Sequence, residues 1–136
     1  MIPMEPRRPG CSVVEGKDIT EPKVRALAQA ADDCWQAIMA KDLQAFADAY
    51  KASFNAHTAM FPGMIHPAQS PHAGLDPASP SVEDYIKKYS AMPGVLAWKM
   101  PGAGGGGYLA CVVADAAQFC DNHPEAFRLT IRRSGM

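Results

Sequence analysis

Five glycines fall within six positions of this chain, at Gly102, Gly104, Gly105, Gly106 and Gly107, with only Ala103 between them. Glycine reaches positive φ without steric cost, but it also loses the most conformational freedom on folding. A run this dense clears side chains from the path of the backbone. Successive N–H groups can then converge on an anion, and phosphate is the usual guest of such a nest. A plain connection between two strands uses the same residue type, because glycine punctuates loops of every kind. Spacing alone leaves both readings open. It excludes two phosphate-binding motifs. No Gly-Lys-Ser/Thr follows, as a Walker A loop requires, and a strand pattern follows where a dinucleotide-binding turn would open a helix. Lys99 precedes the run on a strand pattern. It either reaches a phosphate or is a solvated strand lysine, the commonest state of Lys.

The elements that must hold this run are legible on both sides. Thr20 is suited to an N-cap, and Pro22 suits a first helical turn. Val24, Leu27, Ala31, Trp35 and Ile38 then form a one-faced stripe at helical spacing. Lys41 and Asp42 interrupt it, and Leu43, Phe46, Tyr50 and Phe54 resume it. Many alanines line both segments, so the sequence predicts a tight helical hairpin. Residues 61–80 are rich in proline and predict a long ordered loop or a mobile lid. Ser81 and Asp84 open a third helix as a capping-box pair, and Pro93 and Gly94 stop it. The period then shifts to two. Val95 to Met100 and Tyr108 to Ala114 read as strands, Asp115 caps a short helix, and Phe127, Leu129 and Ile131 alternate with polar residues as a last strand. Val13 and Val14 could form a short edge strand. The expected fold class is α+β, with the hairpin and further helices packed on one face of a small, mainly antiparallel sheet.

The chain has 136 residues, enough for one domain with its own core. We expect an extended segment over 1–19 and a single α+β domain over 20–136. Net charge is −1, which removes the general electrostatic case for nucleic acid or an anionic membrane. The N-terminus "MIPMEPRRPG" lacks the apolar core of a signal peptide. No apolar run approaches the ~18 residues of a membrane span, so a cytoplasmic location is expected. Cys11, Cys34, Cys111 and Cys120 show no Cys-x-x-Cys spacing and are expected to be reduced. His57, His66, His72 and His123 lack ligand spacing, so no metal site is expected.

The segment "LAWKMPGAGGGGYLACVV" resembles the third conserved motif of the GHMP kinases, the superfamily of galactokinase, homoserine kinase and mevalonate kinase. Ala97, Lys99, Met100 and Gly102 to Gly107 fit its pattern. "DLQAFADAYKASF" resembles the helix that precedes the motif in that family, and "SPSVEDYI" resembles its short S-P-x-x-D-x-(I/L) helix. The resemblance covers roughly residues 40–114. It implies the ferredoxin-like C-terminal domain of a small-molecule kinase acting on a sugar or sugar phosphate. It also implies ATP and Mg²⁺ as cofactors of the complete enzyme. The phosphates would lie near Lys99, Gly102, Ala103, Gly104, Gly105, Gly106 and Gly107.

There are departures from the family pattern. Pro101 stands where the family has Thr, which removes a hydroxyl and an N–H, and Tyr108 replaces a small residue. The family's ATP loop, P-x-x-x-G-L-G-S-S-A, and its acidic base are absent. Phosphoryl transfer needs cradled phosphates, metal ligands and a positioned acceptor. The expected partner is therefore a missing N-terminal kinase domain, without which no catalysis is expected. Arg128, Arg132 and Arg133 either meet a phosphorylated sugar or an adjoining domain, or form the polar face of the last strand. Ser53, Asn55 and His57 correspond by resemblance to a border of the acceptor site, or else form a surface helix end. "AMFPGMIHP" reads as an exposed apolar patch on which another domain could dock. The alternative function is a non-catalytic ligand-binding or dimerisation module, homodimeric in one version, with the glycine run as an inter-strand turn.

Overall fold

The computed structural model describes residues 1–7, 12–67 and 80–130. Helix α1 spans Glu21–Ala40 and begins after the extended residue Thr20, with Pro22 in its first turn. The Thr20 hydroxyl makes no capping hydrogen bond, so the start is set by Pro22, whose missing N–H would have no partner there anyway. Lys41 turns into the left-handed region at φ 57° and donates its N–H back to the carbonyls of Ala37 and Ile38. Asp42 then caps helix α2, Leu43–Met60, accepting the Ala45 N–H at 2.9 Å. So short a connection folds α2 back along α1.

The hairpin closes on alanine from α1. Ala30 and Ala37, seven residues apart on one face, are its buried residues, and α1 packs on α2, because small side chains let two helices approach closely. The expected apolar stripe of α1 is not the buried one. Val24 is 47% exposed, Trp35 60% and Ile38 47%, Ala31 is exposed, and only Leu27 is half-buried. At 3.6 residues per turn, the stripe lies roughly a third of a turn from the alanine seam.

Among the described residues the sheet has three antiparallel strands in the order β1–β3–β2, with β1 at Ile2–Pro3, β2 at Val95–Lys99 and β3 at Tyr108–Val113. This is an α+β architecture. Ile2 lies opposite Leu109, and Trp98 opposite Cys111. The N-terminal segment thus contributes a strand and two core residues. Ile2 and Met4 join Phe54, Met64, Val82, Tyr89, Met100 and Leu109 in one buried cluster. Helix α3, Val82–Ser90, opens on the expected capping box: Ser81 Oγ accepts the Asp84 N–H at 3.1 Å, and the Asp84 carboxylate accepts the Ser81 N–H at 2.8 Å. Both α2 and α3 pack against β2. Helix α4, Ala116–Asn122, is capped by Asp115.

Three further expectations are corrected. Val13 and Val14 lie in a bend and form no strand. Residues 127–130 form no strand. Phe127 instead exchanges a pair of backbone hydrogen bonds with Met1, at 2.9 and 2.8 Å. The strand it would extend, β1, is only two residues long, so alternation in the sequence finds no ladder to join. Ile131, Arg132 and Arg133 lie outside the described residues. "AMFPGMIHP" is not an exposed patch either. Met60 and Met64 are 4% and 2% exposed, and Phe61 and Ile65 pack partly buried around the core. A 3₁₀ turn at Pro62–Met64 directs these side chains inward. Residues 68–79 of the expected loop, with His72, lie outside the described residues, as does Cys11. Among the described residues no helix is long and apolar enough to cross a membrane.

Candidate functional site

The glycine run connects β2 to β3, and all five glycines have positive φ: 72° at Gly102, 77° at Gly104, 76° at Gly105, 151° at Gly106 and 93° at Gly107. Side chains rarely adopt this region, so the composition follows from the backbone path. Three of the five also have no room for a side chain. A Cβ on Gly106 would lie 2.5 Å from the Arg7 nitrogen and 2.6 Å from the Glu5 oxygen. On Gly104 it would lie 2.8 Å from Met64 Cβ, and on Gly105 2.7 Å from Val13 Cγ1. Gly102 and Gly107 face open space. The loop is thus threaded between the N-terminal segment and the 3₁₀ turn.

Its hydrogen bonds divide into two sets. The Gly105 N–H donates to the Met64 carbonyl at 2.7 Å, and the Gly107 N–H donates to the Glu5 carbonyl at 3.0 Å. The Gly107 carbonyl accepts from Met4 at 2.8 Å. These bonds anchor the loop. Among the described residues, no acceptor takes the N–H of Gly102, Ala103, Gly104 or Gly106, and of these four residues Gly104 alone is buried. Pro101 offers no N–H, so the donor set begins at Gly102. The glycine run is therefore divided, with two donors spent on structure and four left over, one of them on the buried Gly104.

Lys99 points its ammonium elsewhere. Its Nζ donates to Ser53 Oγ on α2 at 2.9 Å and lies 5.8 Å from the centre of the Tyr50 ring. Ser53, the buried polar residue here, donates its own hydroxyl hydrogen bond to the Tyr50 carbonyl at 2.8 Å. Burial pushes the Lys99 pKa down, with Cys34 working slightly against it. Burial lowers His57, and the Lys99 charge adds to that. Burial raises Tyr50 and Cys34. This is a strut of mixed polar groups tying β2 to the helical hairpin. Neither the strand-lysine picture nor the phosphate picture foresaw it, because nothing in the sequence pairs position 99 with position 53.

The remaining candidates are dispersed. Asn55 lines a groove of about 320 Å³ with Thr58, Ala59, Pro62, Ile65 and His66. His66 approaches Glu83 at 4.0 Å, and His123 approaches Glu125 at 3.7 Å. No group of His, Cys, Asp or Glu that could hold a metal ion occurs among the described residues. Arg128 is exposed and borders a small apolar cavity of about 90 Å³ with Met1, Cys111, Phe119 and Cys120. Burial pushes the Cys111 thiol up to about 11, which keeps it protonated and unreactive at neutral pH.

The residue that sequence reasoning missed is Arg7. Its stem runs along the loop, with Cδ 3.2 Å from the Cβ position of Gly105. No spacing rule links a proline-flanked arginine near the start of the chain to a loop near its end.

No family model, curated protein or solved structure matches this chain.

Proposed function

We propose that this chain is the C-terminal domain of a GHMP-type kinase, supporting the phosphates of ATP presented by a separate N-terminal domain. The acceptor class is a sugar or sugar phosphate. The observation that carries this reading is the β2–β3 connection, with five positive-φ glycines and the N–H groups of Gly102, Ala103 and Gly106 left without acceptors among the described residues. A preorganised set of backbone donors in such a loop favours a phosphate group. The ferredoxin-like arrangement belongs to this proposal, as does the role of Mg²⁺. The described residues contain no carboxylate cluster to hold that ion, so its ligands would come from the other domain.

The test is reconstitution with an N-terminal domain bearing the P-x-x-x-G-L-G-S-S-A loop, followed by ADP release across a panel of sugars. Turnover should appear only with both parts present. Gly102→Val, at a position with open space around it, should reduce turnover at least tenfold while the circular dichroism spectrum stays native. Full turnover in that variant would remove the loop from catalysis.

A second reading is favoured by one specific observation. Val24, Trp35, Ile38 and Met39 leave an apolar stripe on α1 uncovered, and contiguous apolar surface marks interaction sites. In this reading the chain is a non-catalytic binding or dimerisation module and the glycine run serves packing alone. Sedimentation of the chain at micromolar concentration distinguishes the two, since a module of this kind self-associates and Trp35→Glu disperses it.

A further inference from the structure

A phosphate cradle of backbone N–H groups commonly has a cation beside it. In the sequence Lys99 is the candidate, but its ammonium is committed to Ser53 and the Tyr50 ring on α2. The structure supplies another. The backbone of Arg7 is pinned against Gly106, and its aliphatic stem lies against Gly105. Arg7 is exposed and enters no ion pair among the described residues. Glu5 is the nearest acid on the same segment. Its carbonyl holds the Gly107 N–H, and its carboxylate makes no pair with Arg7. A guanidinium presents several donors in a fixed plane that matches phosphate oxygens two at a time. Here such a group is tethered at Gly105 and Gly106, in a loop where the N–H groups of Gly102, Ala103 and Gly106 lie outside the buried Gly104 and have no acceptor among the described residues.

We propose that Arg7 is the cationic arm of an anion site completed by the N–H groups of Gly102, Ala103 and Gly106, and that the site takes a polyphosphate chain. The inference rests on the phosphate reading of the loop and adds the residue that neutralises the charge. It also assigns a binding role to the N-terminal segment.

Inorganic tripolyphosphate and ATP serve as separate probes, titrated into the full chain at low salt. Tripolyphosphate should bind and shift the amide resonances of Gly102, Ala103 and Gly106. Arg7→Gln should weaken that binding about tenfold, the loss expected for a charge-assisted pair. Arg25→Gln removes the same charge from α1 and should leave binding unchanged. Arg7→Lys should fall between wild type and Arg7→Gln. Equal affinity for ATP and tripolyphosphate identifies the phosphate tail as the ligand, and tighter ATP binding adds a nucleoside contact to it. Wild-type affinity in Arg7→Gln overturns the assignment of Arg7 and leaves the glycine loop as a phosphate site. Absence of tripolyphosphate binding at millimolar concentration overturns the whole site. Kinase turnover in the reconstituted enzyme is read independently of both.

Discussion

The glycine loop and helix α1 invert the usual link between composition and packing. The loop has almost no side chains, yet Gly104, Gly105 and Gly106 sit against Met64, Val13 and the Glu5–Arg7 backbone with no space to spare. Helix α1 carries Val24, Trp35, Ile38 and Met39 and leaves them all substantially exposed. What is packed is decided by how closely backbones can approach. In the loop, absent side chains let three segments meet. In the hairpin, alanine does the same for α1 and α2, and the bulky stripe is left outside.

This contrast can be broken by substitution. Gly106→Ala should have the largest effect, a loss of about 3 kcal/mol, because a methyl group there meets backbone atoms that cannot turn away. Urea denaturation measures it, and a midpoint equal to wild type would show that the loop is looser than its contacts. Gly102→Ala tests positive φ without crowding. It should cost about 1 kcal/mol, the left-handed penalty alone. Tyr89→Phe probes a packed site away from both regions. It removes the 2.6 Å bond to Glu125 and should also cost about 1 kcal/mol near neutral pH. That bond holds the Glu125 carboxyl below its ordinary pKa, so its contribution is complete above the usual carboxylate range and fades as the pH falls through and below it. The gap between Tyr89→Phe and wild type should therefore narrow in acid, and a gap that widened would exclude the linkage. Trp35→Ser should have the smallest effect on stability, within about 0.5 kcal/mol, as expected for an exposed residue. A large loss there would mean that the stripe is covered in solution.

Local signals in the sequence were sound where one residue type does one job. Asp42, Ser81 and Asp115 cap their helices as their positions predict. Pro22 marks the start of α1, and the shift in period marks β2 and β3. The sequence misled where two faces competed. Helical spacing revealed the apolar stripe of α1 but could not reveal that an alanine face roughly a third of a turn away would win the contact. Strand alternation at Phe127–Ile131 named a strand without naming its neighbour, and residues 127–130 form none. At the candidate site the glycine run itself was plain to see. The destination of Lys99 was not, nor was the approach of Arg7, because each depends on a partner distant in sequence.

The register of β1 has a kinetic consequence. Ile2 pairs with Leu109, Met4 bonds to Gly107, and Glu5 accepts from the same glycine, so the loop is held by residues from the far end of the chain. Contacts of such long sequence separation pay loop-closure entropy before they return any stability, and chains that depend on them fold slowly. The hairpin, built from neighbours, can form early. The glycine loop keeps its two bonds to Met4 and Glu5 only while the N-terminal strand is docked, so its shape depends on a contact about a hundred residues away in sequence.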